Sequence, residues 1–213
     1  MTSANGISMK LFMRPLMKPC LYIFAKAPHM GKVKSRLAAD VGNVHALRIY
    51  RAMTAKIVRE TQDPRWDTVL YVTPDDCAGA RFGGLWPESM PRFTQNGGGL
   101  SERTARLFTG PKTGKHPVIT IGTDIPAMRR SDIAAGFKAL KHNDAVIGPA
   151  KDGGFYLIGL NAPANPKLFD GIRWSHPQTR KDMCAAIGGR IALLRELEDV
   201  DDLAGYQRYK SLT

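Results

Sequence analysis

Three short segments of the chain combine charged side chains with glycine or proline. One of them carries four cations within eleven residues, namely Lys26, Lys32, Lys34 and Arg36. The other two carry one carboxylate each, Asp124 and Asp152. Lysine and arginine bind phosphate oxygens, and a carboxylate suits a hard divalent cation that carries phosphates. Together the segments predict a site for a phosphorylated ligand and Mg²⁺ or Mn²⁺, with Asp124 and Asp152 as catalytic and metal-binding residues.

Asp124 follows an apolar run that predicts a buried strand, residues 118–121. Gly122 permits a tight turn or close approach of a ligand, and Pro126 stops the strand from continuing. Asp124 is therefore expected at the carboxyl end of a parallel strand, where open α/β sheets bind their ligands. The motif by itself leaves an alternative open, in which Asp124 only caps the next helix or closes a turn.

The basic segment directly follows the first predicted strand, residues 21–24, and leads into a helix. Backbone N–H groups and side-chain cations can hold phosphate at such a junction. Arg36 can grip a phosphate with two donors, while the lysines act as point charges. The segment has neither the Walker A pattern nor the Rossmann glycine pattern. A solvated basic loop is the alternative.

Asp152 is followed by Gly153 and Gly154, between two predicted strands. An Asp-Gly pair is common in hairpin turns, which explains the first glycine but not the second. In the functional interpretation, Asp152 is a second acidic group at the pocket. Gly153 and Gly154 then let the backbone approach a substrate.

Strand-like and helix-like segments alternate along the chain, which predicts a three-layer α/β/α sandwich around a mainly parallel, mixed sheet. The predicted strands are residues 21–24, 69–72, 118–121, 145–147, 155–158 and 191–194. The predicted helices are residues 44–60, 100–108, 131–140 (opened by a cap at Ser131), 183–187 and 203–209. Residues 19–213 are expected to form one domain, and residues 1–18 a disordered extension.

The chain has 213 residues and a formal net charge of +12. Its basic residues are dispersed without an aromatic-interleaved stripe, which favours a basic surface with a phosphate pocket over a nucleic-acid-binding protein. No apolar run approaches the about 20 residues that span a bilayer. The three cysteines lie far apart without metal-ligand spacing, which is typical of free thiols in a reducing cytoplasm.

The three segments resemble the conserved blocks of the DUF2064 family, also called "transferase 1, radical-SAM/selenodomain-associated". Its blocks run F-A-K-x-P-x-x-G-x-V-K-T-R-L, G-S-D-x-P and P-x-x-D-G-G-Y-Y-L-I-G. They match residues 24–37, 122–126 and 149–159 here, with Phe155 for the first tyrosine of the third block. A weaker match is Trp174-Ser175, in a family W-S-T block where this chain continues with His176.

Two blocks depart from the family. In Q-x-x-G-D-L-G-x-R-M, this chain has Gly99 for the acid and Ser101 for the second glycine, so the acceptor is expected to differ. Residues 196–203 occupy the place of the family block D-V-D-T-P-E-D-L. Glu198 there keeps a carboxylate, on a longer side chain than aspartate. Capping of the last helix is the favoured role of that segment.

The resemblance implies a GT-A fold, as in nucleotide-diphospho-sugar transferases, and an Mg²⁺- or Mn²⁺-dependent transferase. Its donor would be a nucleotide or nucleotide-sugar, and the resemblance does not identify the acceptor. Lys26, Lys32, Lys34 and Arg36 would bind the nucleotide phosphates, and Gly153, Gly154, Trp174 and Ser175 the substrate. Glycosyl transfer and nucleotidyl transfer both remain open. A non-catalytic nucleotide- or nucleic-acid-binding protein with the same fold is the rival hypothesis.

Overall fold

The computed structural model describes residues 18–109 and 116–212. Seven strands form one sheet: β1 (Cys20–Lys26), β2 (Asp67–Thr73), β3 (Arg92–Thr94), β4 (Pro117–Ile121), β5 (Ala145–Pro149), β6 (Phe155–Asn161) and β7 (Ile191–Leu193). Six α-helices surround it: α1 (Ser35–Val41), α2 (Asn43–Glu60), α3 (Leu100–Thr109), α4 (Arg130–Ala139), α5 (Thr179–Ile187) and α6 (Leu203–Ser211). None of the described helices is long and apolar enough to cross a membrane.

The strands lie in the order β3-β2-β1-β4-β6-β5-β7. All run in the same direction except β6, which is antiparallel to both β4 and β5. Because β1 and β4 are parallel neighbours, the segments that follow Lys26 and Ile121 emerge side by side. Because β6 runs the other way, its first residue, Phe155, lies at that same edge. The topology therefore gathers all three segments predicted to carry the chemistry.

Both faces of the sheet are buried, which explains the nearly continuous apolar sequence of its strands. Alternate residues of β1 enter different layers: Leu21 and Ile23 pack on the side of α2 and α4, whereas Cys20 and Tyr22 pack on the side of α3 and α5. The three-layer sandwich predicted from the sequence is confirmed.

Every predicted strand and helix is present, with bounds that differ by a few residues. The sequence analysis missed β3, which has only three residues, and did not delimit α1. The predicted cap at Ser131 is wrong. Helix α4 begins at Arg130 instead, and the carboxylate of Asp132 accepts the N–H of Arg129 at 2.8 Å. The reason is that a carboxylate at the third helical position can reach back to the preceding turn.

The predicted disordered extension, residues 1–18, lies outside the described residues except for Lys18. The Lys18 ammonium donates a hydrogen bond of 2.8 Å to the carbonyl oxygen of Pro64.

Gly159 in β6 leaves room for side chains of the neighbouring strands β4 and β5 on one face of the sheet. A Cβ atom built there would lie 2.7 Å from Val146 Cγ1 and 2.8 Å from Ile119 Cγ1. We therefore expect Gly159→Ala to lower the free energy of unfolding by about 1–3 kcal/mol, the usual cost of overpacking. Gly79→Ala is the matched control, because a Cβ atom at Gly79 meets nothing within 4 Å. Urea denaturation that gives equal stability for the two variants would contradict this packing.

Candidate functional site

The Lys34 ammonium joins three separate parts of the chain. Its Nζ atom lies 2.7 Å from Asp124 Oδ1 and 2.7 Å from Asp201 Oδ1. The lysine side chain is only 5% exposed, whereas the two carboxylates are about half exposed. The ion pairs therefore hold together the segment after β1, the segment after β4 and the segment before α6.

Lys34 adopts a backbone conformation that is rare for a residue with a side chain. Its φ and ψ are 49° and 52°, in the left-handed region, and it is the N-cap residue of α1. This conformation costs an L-residue roughly 1–2 kcal/mol. It directs the chain into α1 while the ammonium is held by two carboxylates. Strain of this kind is concentrated at functional positions.

The charges around Lys34 shift the pKa values of the cluster. Burial alone would lower the pKa of Lys34, but the carboxylates of Asp124 and Asp201 outweigh it and raise the pKa. For Asp201 the two effects are reversed. Burial by itself would raise the pKa of this carboxyl group, but the ammonium of Lys34 outweighs burial and lowers the pKa. At neutral pH, Lys34 is therefore a fixed cation beside ionised Asp201.

Asp199 behaves in the opposite way. Burial, and then the nearby charges of Asp201 and Asp152, raise its pKa from 3.8 to about 6. Asp199 is thus a half-buried carboxyl group that also lies beside other negative charges.

The segment after β4 presents Asp124 to this cluster. The carbonyl oxygen of Asp124 accepts the N–H of Val200 at 2.9 Å, which ties the segment to the chain before α6. Its carboxylate pairs with Lys34, and α4 is capped through Asp132. Asp124 therefore does not cap the next helix, and its assignment as a catalytic and metal-binding residue stays a prediction.

A cavity of about 420 Å³ opens beside Lys34. The cations that line it are Lys26, Lys32, Lys34, Arg36 and Arg103. Lys26, Lys32 and Arg36 are exposed. All four cations predicted to bind phosphate thus line one cavity, whose only carboxylates among the described residues are Asp124 and Asp201.

Arg103 and Gln95 are lining residues that the sequence analysis did not select. Gln95 is buried; its amide donates to the carbonyl oxygen of Tyr71 at 2.7 Å and its Oε1 accepts from Arg103 Nη1 at 2.9 Å. These are the glutamine and arginine of the family block that departs at Gly99 and Ser101. Because this chain keeps the glutamine and the arginine of that block, their match to the family was the sequence signal that could have identified them.

A second cavity of about 290 Å³ shares Asp124 and Asp201 with the first. Asp152 and Asp199 also line it, and the described residues place no lysine or arginine in its wall. The Asp152 carboxylate accepts the N–H of Gly154 at 2.8 Å, which closes a local turn. Asp152 therefore has both roles that the sequence left open, a turn residue and an acidic group at the pocket.

The four residues predicted to bind substrate do not share one place. Gly154, Trp174 and Ser175 line the second cavity, but Gly153 does not. Gly153 has a φ of +89°, and a Cβ atom there would lie 2.1 Å from the carbonyl oxygen of Pro177. Gly153, the first glycine of the pair, is thus required for backbone packing, whereas Gly154, the second, lines the cavity.

Ser101, which replaces a family glycine, supports the wall of the second cavity. Its Oγ accepts a 2.6 Å hydrogen bond from Trp174 Nε1 and donates to the carbonyl oxygen of Phe169 at 2.8 Å. The indole of Trp174 also packs edge-on against Phe155. The substitution therefore fixes the orientation of an aromatic side chain in this cavity.

The segment before α6 contains the residues that the sequence analysis missed. The predicted capping is confirmed for Asp202, whose carboxylate accepts the N–H of Gly205 at 2.7 Å. Glu198 instead pairs with Arg208 and Lys151 and lines neither cavity. Asp199 and Asp201, which are separated by one residue, supply two further carboxylates to the cavities. The sequence Asp-Val-Asp, with two acidic residues close together, was the signal that could have identified them.

The carboxylates that the two cavities share suit a hard divalent cation that also binds phosphate oxygens. Within residues 18–109 and 116–212, no three His, Cys, Asp or Glu side chains converge as a complete metal-binding group. Mg²⁺, however, is usually held by one or two carboxylates together with substrate phosphates, not by an all-protein cage. The ion pair with Lys34 engages Oδ1 of Asp124, so that carboxylate has a second oxygen outside the ion pair, whereas Asp201 also shares a hydrogen bond with Asp199. The carboxylate chemistry therefore fits a cation shared with a phosphorylated ligand.

The fold is that of nucleotide-diphospho-sugar transferases and nucleotidyltransferases. A protein of Desulfovibrio desulfuricans G20, described as a candidate nucleotide-diphospho-sugar transferase, is 31% identical, with a TM-score of 0.78 over 87% of this chain and 84% of that chain. CMP:2-keto-3-deoxy-manno-octonic acid synthetase in complex with CTP shares the fold at 11% identity, with a TM-score of 0.55 over 92% and 98% of the chains. Rv0371c of Mycobacterium tuberculosis H37Rv in complex with manganese also shares the fold, at 11% identity, with a TM-score of 0.55 over 92% of this chain and 100% of that chain.

The family model DUF2064, described as an uncharacterized protein conserved in bacteria, matches residues 56–176. The chain belongs to the DUF2064 family, as its three blocks predicted. No curated protein matches it.

The raised pKa of Asp199 makes stability depend on pH. Between about pH 4 and 6 the folded protein retains a proton that the unfolded chain has lost, so stability falls as pH rises through this window. We expect Asp199→Asn to be more stable than the parent by up to about 2 kcal/mol at pH 8, and equal to it at pH 4. Urea denaturation at both pH values, with a chelator present, measures the difference. Asp170→Asn, an exposed aspartate away from both cavities, is the control. A stability difference that does not change with pH would contradict the assignment.

Proposed function

We propose that this protein is a divalent-metal-dependent transferase that acts on a nucleotide-linked donor. The observation that carries the proposal is the division of charge between two adjoining cavities. One is lined by five cations, the other by carboxylates, and Lys34 pairs with the two carboxylates that both cavities share. A ligand with several phosphates and a bound cation has the matching distribution of charge.

The basic cavity supports the donor side of the proposal. Lys26, Lys32 and Arg36 are exposed at the carboxyl end of β1 and the start of α1. Arginine can bind a phosphate through two parallel hydrogen bonds, and lysine contributes a compact charge. These side chains would neutralise and orient the donor phosphates.

The acidic cavity supports the metal requirement. Asp124 and Asp201 would hold the cation, with Asp152 and Asp199 as the further carboxylates beside it. Mg²⁺ or Mn²⁺ would supply Lewis-acid stabilisation of negative charge on the donor phosphates. The protein's own part is to place the carboxylates next to the basic cavity, so that cation and phosphates meet at the shared wall.

Lys34 has the most direct part in the proposed chemistry. Transfer from a nucleotide-linked donor builds negative charge on the oxygens of the leaving phosphate. An ammonium that is already protonated, buried and fixed by two carboxylates stabilises such charge without reorganisation. Its ion pairs keep it at the boundary of the two cavities.

Two reactions suit this arrangement. In glycosyl transfer the acceptor attacks the sugar of a nucleotide-sugar, and a nucleoside diphosphate leaves. In nucleotidyl transfer the acceptor attacks a nucleoside triphosphate, and pyrophosphate leaves. The likeness to the Desulfovibrio protein supports the first, and the likeness to the synthetase that binds CTP supports the second. The preferred donor distinguishes them.

Nucleotide binding is the first measurable consequence. We expect one nucleoside triphosphate or nucleotide-sugar to raise the melting temperature only in the presence of Mn²⁺ or Mg²⁺, because Asp124 and Asp201 would hold the cation beside the donor phosphates. Saturation at about 100 times Kd corresponds to about 2.7 kcal/mol. Asp124→Asn should abolish the metal-dependent part while keeping the fold. A panel of donors in a thermal-shift assay, with Asp170→Asn as the matched control, tests this.

Full metal-dependent stabilisation of Asp124→Asn would show that the assigned site is wrong. Binding that survives this substitution and falls steeply with salt would support the rival hypothesis, a non-catalytic nucleotide- or nucleic-acid-binding protein.

The basic cavity makes a separate prediction about Arg36. We expect Arg36→Ala to weaken donor binding roughly 10-fold, because a hydrogen bond to a charged group contributes about 1.5–3 kcal/mol. The binding constant is measured by titration calorimetry with Mn²⁺ present. Lys181→Ala removes an exposed positive charge from α5, outside both cavities, and is the control for net charge. Equal weakening by both substitutions would mean that the general charge of the protein attracts the nucleotide.

A further inference from the structure

The second cavity lies between the sheet and α3. Its floor is formed by Thr120 of β4 and Ile158 of β6, which are paired across the two strands, and Thr104 of α3 lines it as well. It adjoins the basic cavity along Gly122 and Asp124. If the basic cavity holds the donor phosphates, as in the proposed function on which this inference rests, the second cavity is where the acceptor meets the donor.

The charge of this cavity is opposite to that of the whole protein. The chain has a formal net charge of +12, yet four aspartates and no lysine or arginine line the described wall; His176, which the formal charge counts as neutral, lines it as well. One divalent cation and the ammonium of Lys34 would together cancel three of the four negative charges. The cavity would therefore still repel a phosphate or a carboxylate that arrived with the acceptor.

Two threonines present hydroxyl groups in the wall of this cavity. Thr104 is 3% exposed and Thr120 is 5% exposed, and both line the cavity. A threonine hydroxyl can both donate and accept hydrogen bonds, so these groups can pair with a ligand that carries hydroxyl groups. The exposed hydroxyl-bearing residue Ser175 adds a third such group at the rim.

Two aromatic side chains form part of the remaining wall. Phe155 and Trp174 pack edge-to-face, with ring centroids 5.9 Å apart, and the Trp174 indole is held by Ser101. Aromatic walls together with hydroxyl and carboxylate groups suit a compound that has both C–H faces and many hydroxyl groups. At about 290 Å³ the cavity has the size of a small-molecule site.

We infer that the second cavity binds an uncharged polyhydroxyl acceptor, a sugar or polyol without phosphate or carboxylate. The acceptor hydroxyls donate to the carboxylates and pair with Thr104 and Thr120, and its apolar face lies against the aromatic wall. In the transfer, the acceptor oxygen forms the new bond to the donor's carbon or phosphorus. The bond from that atom to the leaving phosphate oxygen breaks with its electron pair, and the hydroxyl proton is released to water.

Matched probes test the charge preference directly. The probes are glucose and glucose 1-phosphate, mannose and mannose 1-phosphate, and glycerol and glycerol 3-phosphate. Saturation-transfer NMR and calorimetry measure their binding to the full chain with Mn²⁺ and the donor nucleotide present. We expect at least one neutral probe to bind at least 10-fold more tightly than its phosphorylated partner.

Variants locate the binding. Thr120→Val keeps the shape of the side chain and removes the hydroxyl, so it should weaken the neutral probe about 5- to 10-fold, as expected for one hydrogen bond. Thr54→Val makes the same change at a buried threonine of α2 outside the cavity and should leave binding unchanged. Asp152→Lys should reverse the preference toward the phosphorylated probe.

The outcomes for donor and acceptor are separable, because donor binding is measured on the same samples. Preference for a phosphorylated probe, or no binding of any neutral probe, while the donor binds normally, would overturn the inference and leave the proposed function intact. Equal weakening by Thr120→Val and Thr54→Val would also overturn it. Loss of donor binding with the neutral preference retained would refute the proposed function alone.

Discussion

The ion pairs between Lys34 and the carboxylates of Asp124 and Asp201 are the constraint on which the site depends. A buried ammonium is tolerated only when opposite charges surround it, and removing one partner leaves an uncompensated charge. Here the partners come from the ends of two different elements, so satisfying the charge also fixes the relative positions of three segments. The left-handed backbone of Lys34 is maintained by the same contacts.

This constraint also separates two environments. On one side of Lys34 the cations of the first segment face a cavity that suits phosphates. On the other side Asp152 and Asp199 face a cavity that suits a divalent cation and hydroxyl groups. Like charges on each side repel one another, and a ligand of opposite charge would relieve that repulsion. The pKa of Asp199 is raised chiefly by burial and further by the charges of Asp201 and Asp152.

The DUF2064 blocks line both cavities: the first block lies mainly in the basic cavity and the third block in the second cavity. The cations of the first block and Asp124 of the second line the basic cavity. The departures from the family fall near the other cavity, where Ser101 holds Trp174. The change from glycine to serine thus affects the wall of the second cavity, which shares only four described residues with the basic cavity.

The sequence alone determined the elements and most of the charged residues of the site, since apolar periodicity, turn residues and a cluster of cations are local properties. It identified Asp124, Asp152 and the four cations, and the three-layer architecture followed from the alternation of elements. Tertiary structure decided which strand is reversed, that Gly153 serves packing, and that Asp199 and Asp201 enter the site. The Lys34–Asp201 pair joins residues 167 positions apart. A contact over that distance depends on the pairing order of the sheet, which no local pattern in the chain encodes.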